Sequence, residues 1–287
     1  MDRYMGQGIG VAILDTGIGN HPDLAHRVIA FRDILGGKRY PYDDNGHGTH
    51  VAGILCGSGV LSKGLYGGLA PKSQVIVVKV LDKKGDGTIH NVIAGLRWVL
   101  LHQSQYHIRI VNISIGTLPH EGSREEQHLL QMVEQLWDSG MIVVVAAGNY
   151  GPKPGSVTSP GVSRKVITVG SASDQYYMKE GVRKIRSYSG RGPTKDCICK
   201  PDIVAPGSGI ASCNVGYLFH ERNGYTKKSG TSMATPIVSG AIAVLLSKYP
   251  DMSNVEVKLR LRDSCNDVHL PIEQQGWGQI NVEKLIG

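Results

Sequence analysis

Four short segments carry side chains capable of covalent chemistry. Asp15-Thr16-Gly17 closes an apolar run, and Gly46-His47-Gly48-Thr49-His50 reads as the start of a short helix. Gly148-Asn149 ends a second apolar run, and Gly230-Thr231-Ser232-Met233-Ala234-Thr235-Pro236 opens a long apolar segment. A serine hydroxyl is a weak nucleophile at neutral pH unless a base takes its proton. An imidazole is the usual base, and a carboxylate can fix its tautomer. Ser232, His47 and Asp15 supply one of each.

Each residue also has a plainer reading. A strand-end aspartate commonly caps a turn, and a serine at a helix start is usually an N-cap. His47 and His50, three apart, could share a metal, but no acidic third ligand follows at the usual spacing. One Asp-Thr-Gly in an α/β pattern lacks the second loop and all-β frame of a two-aspartate protease. Gly6-Gln7-Gly8-Ile9-Gly10 precedes a strand, the wrong side for a dinucleotide fingerprint.

The elements that must position these residues follow from periodicity. Strands are predicted at 10–14, 75–81, 108–115, 141–147, 166–170 and 203–205, all nearly continuous apolar runs suited to a parallel sheet covered on both faces. Thr88 precedes a 3.6-residue stripe of Ile89, Val92, Ile93, Leu96, Val99 and Leu100. Ser123-Arg124-Glu125-Glu126 reads as a capping box opening a helix that stops at Gly140, and Ser253-Asn254-Val255-Glu256 opens another. Residues 232–249 are apolar almost all round and predict a buried central helix with Pro236 in its first turn. The alternation predicts one α/β domain over residues 1–287, a doubly wound, mostly parallel sheet flanked by helices. Residues 174–200 read as an irregular basic surface excursion. In such a sheet ligands bind at the carboxyl ends of the strands, where Asp15 and Asn149 fall.

Taken together, the order Asp, His, Ser within these glycine-lined motifs resembles the subtilisin-like serine proteases, the subtilases. The resemblance runs from about Gly8 to the C-terminal helix. It is carried by Ala12 to Gly17 with His21-Pro22-Asp23-Leu24, by Asp44 to Gly53, by Ala146-Ala147-Gly148-Asn149, and by Gly230 to Pro236. It implies a serine endopeptidase in which Ser232 attacks, His47 shuttles the proton, Asp15 orients the imidazole, and Asn149 with the Ser232 N–H holds the oxyanion. It also implies that a peptide or protein substrate adds as a strand between Gly85-Asp86-Gly87 and Ser114-Ile115-Gly116. Ile89 and Ile115 would line an apolar pocket for the fourth residue before the cut. The first-residue pocket would be bounded by Ser114 to Gly116, Ala147-Gly148-Asn149 and the stretch near Thr158, which offers no carboxylate for a strict Lys/Arg preference. The competing reading is a catalytically silent peptide-binding module on the same fold, against which the complete set Asp15, His47, Asn149 and Ser232 argues.

Two departures modify the expectation. Family members often bind calcium through an aspartate matching Asp23 and an Asn-rich loop. Here that loop reads Gly57-Ser58-Gly59-Val60-Leu61-Ser62-Lys63-Gly64, so no metal or other cofactor is expected. The first strand begins within about ten residues of Met1, which leaves no room for the pro-domain of secreted relatives and predicts folding without one.

Composition excludes other classes. The 287 residues are 41% hydrophobic and 19% charged, ordinary for a globular chain. No uncharged apolar run approaches the ~20 residues of a membrane span. Thirty-one Lys and Arg against 24 Asp and Glu give +7, with a local cluster at Arg183, Lys184, Arg186, Arg191, Lys195 and Lys200 opposed by Asp196. No RNP-type or zinc-finger pattern accompanies it, so no nucleic-acid partner is expected. Five cysteines cannot all pair, Cys197-Ile198-Cys199 lacks a partner pair at zinc spacing, and the N-terminus has no apolar leader. Reduced thiols in a cytoplasmic protein are the simplest expectation.

Overall fold

β-branched runs apolar on both sides need a sheet with both faces covered, and the computed structural model contains one. It describes residues 4–118, 123–172, 187–218 and 223–287, and the backbone of 177–179 and 182–184. The strands of the first part are β1 (Gly10–Asp15), β2 (Val28–Asp33), β3 (Gln74–Lys79), β4 (Ile108–Ile113), β5 (Ile142–Ala146) and β6 (Ile167–Ser171). There follow β7 (Tyr177–Lys179), β8 (Val182–Lys184), β9 (Ile203–Ala205), β10 (Ile210–Cys213) and β11 (Tyr225–Lys228). Seven form one sheet in the order β2-β3-β1-β4-β5-β6-β9, every pair parallel. β10 and β11 pair antiparallel, as do β7 and β8.

The helices are α1 (His47–Cys56), α2 (Ile89–Leu101), α3 (Arg124–Asp138), α4 (Thr231–Lys248), α5 (Asn254–Ser264), α6 (Ile272–Gln275) and α7 (Val282–Ile286). α1 packs on α4 and α2 on α3, while β1 touches both α1 and α2 and is buried along its whole length. The strand order turns at β1, which lies between β3 and β4. That switch point opens a crevice at the carboxyl ends of β1 and β4, where Asp15 and Ser114 stand.

The predicted caps are in place. Thr88 Oγ1 accepts from Asn91 N at 3.2 Å, Ser123 Oγ from Glu126 N at 3.2 Å, and Ser253 with Glu256 closes a full capping box. α4 is long and apolar enough to cross a membrane, but 78% of it is buried inside the protein, as a core helix requires.

Three expectations are corrected. α4 begins at Thr231, so Pro236 is its sixth residue and lies beyond the first turn. Its missing N–H removes the i+4 donor that the Ser232 carbonyl would otherwise have. The excursion at 174–200 holds the β7–β8 hairpin, and Lys200 does not belong to a surface cluster: it is 1% exposed and bonded to Asp202 at 2.6 Å. The side chains of Arg183, Lys184 and Arg186 lie outside the described residues. Finally, β2 had no apolar alternation to reveal it. It is an edge strand with only Asp33 fully buried, recruited by pairing with β3.

Candidate active site

Asp15 ends β1, fully buried, and its Oδ1 accepts from Thr16 N and pairs with His47 Nδ1, both at 2.7 Å. His47 is the first residue of α1 and keeps 24% of its side chain exposed. The α1 N-terminus is held by a lattice of side chains that satisfies its orphan amides. Asp43 Oδ1 accepts from Gly46 N at 2.8 Å, Asp43 Oδ2 from Thr49 N at 2.9 Å, Asn45 Oδ1 from His47 N at 3.1 Å, and Thr16 Oγ1 from Gly48 N at 2.9 Å. Thr16 Oγ1 in turn donates to Asp43 Oδ1 at 2.9 Å. Gly48 is required here, because a Cβ would sit 2.2 Å from Gly17 O and 3.2 Å from Asp15 Cβ.

Burial depresses the His47 pKa, but the Asp15 charge and hydrogen bond outweigh it and leave it raised, against a smaller opposing push from the Lys228 charge. His50, one turn on, has no such partner. Burial takes it down to about 4, and its Nε2 lies 3.1 Å from both Ile210 O and Thr226 O, clamping the β10–β11 hairpin to α1.

Ser232 is the second residue of α4, so its N–H falls among the unpaired amides of the helix start. Its Oγ donates to Ser114 O at 2.8 Å rather than to His47. Asn149 Oδ1 accepts from Thr231 N at 2.9 Å and Thr231 Oγ1 at 3.2 Å, which leaves Nδ2 as the donor at the cleft. Gly148, at φ +88°, turns the chain there, and a side chain on it would strike Thr158 Cγ2 at 2.4 Å.

His47, Ser232 and Asn149 line one cleft of about 570 Å³, with Asp15 beneath its floor. The expected strand-binding segments Gly85-Asp86-Gly87 and Ser114-Ile115-Gly116 face it, as do Ile89 and Gly148. Ala147 and Thr158 do not line it. Both are fully buried, Ala147 because its N–H bonds Val169 O at 2.9 Å and its carbonyl takes Thr158 N at 2.9 Å. Thr158 is wedged behind Gly116 and Gly148. Leu81, Val92 and Leu129 join Ile89 and Ile115 on the apolar side of the cleft, with Lys84 at its rim.

Several residues of this site carried no local sequence signal. Asp43 joins it only when the chain folds back on itself and meets Thr16 of the Asp15-Thr16-Gly17 segment. Lys79, 1% exposed, donates to Thr16 O at 2.5 Å, Asp44 Oδ1 at 2.7 Å and Leu81 O at 2.8 Å, tying three cleft loops together. Within an apolar strand it could be noticed only as a misplaced charge.

Asp23 and the loop at 57–64 do not fit calcium. Asp23 Oδ1 accepts from Leu61 N of the loop at 3.0 Å and Oδ2 from Tyr225 OH of β11 at 2.6 Å, so donors stand where a cation needs oxygens. His21, Asp23 and Cys213 place ligand atoms within 4.8 Å of one another. The His21 nitrogens are engaged as well, with Gly224 O at 2.8 Å and Asp23 N at 3.2 Å.

A parallel α/β sheet with an aspartate–histidine pair and a helix-borne serine at its switch point has the arrangement of a serine hydrolase. More narrowly, the chain belongs to the subtilase family, whose model matches residues 6–278, and it is a serine protease by that membership. It is 42% identical to Serine protease AprX of Bacillus subtilis (strain 168) over 98% of this chain and 66% of AprX. It is 34% identical to Subtilisin DY of Bacillus licheniformis over 98% of this chain and 91% of that protein. Among solved structures, a cold-adapted subtilisin-like serine proteinase superposes with TM-score 0.76 at 29% identity, covering 97% of this chain and 89% of its own. Sphericase does so with TM-score 0.79 at 29% identity, covering 96% and 92%.

Proposed function

We propose that this chain is an endopeptidase that cleaves peptide bonds through an Asp15–His47–Ser232 triad, with no metal. The observation that carries the reading is the 2.7 Å Asp15–His47 bond at a cleft shared by Ser232 and Asn149. Ser232 Oγ turns from Ser114 O toward His47 Nε2, gives up its proton there and bonds to the scissile carbonyl carbon. The carbonyl electron pair moves onto oxygen, where Asn149 Nδ2 and the Ser232 N–H receive it. Collapse expels the amine, which takes the proton from His47, and water repeats the sequence on the acyl-enzyme. Asp15 orients the imidazole and stabilises the imidazolium.

The apolar side formed by Leu81, Ile89, Val92, Ile115 and Leu129 supports a preference for an apolar fourth residue before the cut. The donors around Asp23 support calcium independence. Five thiols without a bridge support a reducing, cytoplasmic setting, which cell fractionation tests. For the mechanism, Ser232→Ala should abolish labelling by a fluorophosphonate and lower kcat by several orders of magnitude, and adding His47→Ala should cost little more. Cleavage persisting in Ser232→Ala near the parent rate defeats the reading.

A further inference from the structure

Pro236 creates a problem at the nucleophile that the neighbouring strand solves. With no N–H at 236, the Ser232 carbonyl has no i+4 donor within α4. Ser114 Oγ donates to that carbonyl at 3.2 Å instead. The same residue accepts the Ser232 hydroxyl on its own carbonyl at 2.8 Å, so Ser114 grips the nucleophile's residue at both main chain and side chain.

Ser114 Oγ does not stand alone. It accepts from Asn112 Nδ2 at 2.9 Å, and Asn112 Oδ1 accepts from Ser239 Oγ at 2.9 Å. Asn112 and Ser239 are fully buried and Ser114 is 3% exposed. Ser239 sits two turns along α4 from Ser232, so the chain Ser239–Asn112–Ser114–Ser232 runs up the β4–α4 seam. Polar groups in an apolar seam cost free energy unless every bond is made, and apolar residues of like size would pack there without that demand.

We propose that Ser114, oriented by Asn112 and Ser239, is a positioning residue that fixes the Ser232 backbone for attack, supplying the donor that Pro236 withholds. The proposal rests on Ser232 being the nucleophile. The hydroxyl of Ser114 bonds Asn112 and the Ser232 carbonyl rather than the Ser232 Oγ, so its action passes through the Ser232 main chain. A small misplacement of a nucleophile lowers turnover far more than it alters how substrate is held.

The test measures kcat and KM on a chromogenic peptide, the second-order rate of fluorophosphonate labelling, and Tm, for Ser114→Ala, Ser114→Thr and Ser239→Ala. The expected result for Ser114→Ala is a ten- to hundredfold fall in kcat and in labelling rate with KM within twofold, because the Ser114 carbonyl remains. Ser114→Thr, which keeps the hydroxyl, should recover most of the loss, and Ser239→Ala should show a smaller fall of the same kind. Rates within twofold of the parent in Ser114→Ala, whatever its Tm, overturn the proposal, as does an equal loss in Ser114→Thr. Should Ser114→Ala fail to fold, Ser239→Ala decides by the same two rates. Retained labelling in Ser232→Ala marks failure of the nucleophile assignment, and a silent Ser114→Ala beside an unlabelled Ser232→Ala marks failure of the relay alone.

Discussion

At the scale of single residues, the pH response follows from His47. The base must be neutral to accept a proton, and Asp15 holds its pKa above the ordinary value near 6.5. The acid limb of kcat/KM should therefore have its midpoint above 6.5, with activity rising as pH increases. Lys228 opposes Asp15, so Lys228→Met should move that midpoint to higher pH while the plateau rate stays within a few-fold. A midpoint that moves down would show that the sign of the Lys228 effect is wrong. Asn149→Ala removes one oxyanion donor while leaving the triad intact, and kcat should fall about 10²–10³-fold, the size found for such a donor in this family. KM should change far less.

At the scale of elements, catalysis depends on how the first turn of α1 is held. Asp43 takes hydrogen bonds from Thr16, Asn45, Gly46 and Thr49, the last through both its N–H and its hydroxyl. Burial raises its pKa, yet these donors outweigh burial and leave it below the usual carboxylate value. A depressed folded-state pKa means that Asp43 stabilises the fold above about pH 4 and that this contribution is lost as pH falls through its lowered pKa. Asp43→Ala should cost about 1–3 kcal/mol at neutral pH, measured by denaturant unfolding, because several amides lose their acceptor at once. The loss relative to the parent should shrink toward pH 3. Activity should fall with it, since His47 opens the same turn.

At the scale of the whole molecule, metal and redox state are the measurable consequences. The N–H of Leu61 and the hydroxyl of Tyr225 already occupy Asp23, so EDTA should change neither activity nor Tm appreciably. A Tm loss of many degrees restored by calcium alone would contradict this. A thiol assay under denaturing, non-reducing conditions should count five, while in the native protein the exposed Cys197 should react first, ahead of Cys199, whose pKa burial raises. Burial pushes Cys56 and Cys265 up to about 12 and raises Cys213 as well, which keeps them as unreactive thiols.

What could be read from the chain alone was whatever is encoded over a few residues. The β-branched runs of β1, β3, β4, β5, β6 and β9 announce a covered parallel sheet, and Thr88, Ser123 and Ser253 announce helix starts. The motifs around Asp15, His47, Asn149 and Ser232 are each contiguous, so the candidate chemistry was legible before any contact was known. Tertiary structure alone decided the rest. β2 exists because β3 offers it an edge, and Lys200 is buried because Asp202 meets it. Thr158 stands behind the wall rather than in it because Gly116 and Gly148 close over it. Asp43, Lys79, Asn112 and Ser239 join the site only when a loop, two strands and a helix far apart in sequence converge at the switch point. Periodicity records which face of an element is apolar, whereas a hydrogen bond between Ser239 and Asn112 depends on how β4 and α4 cross, and that is a property of the packed whole.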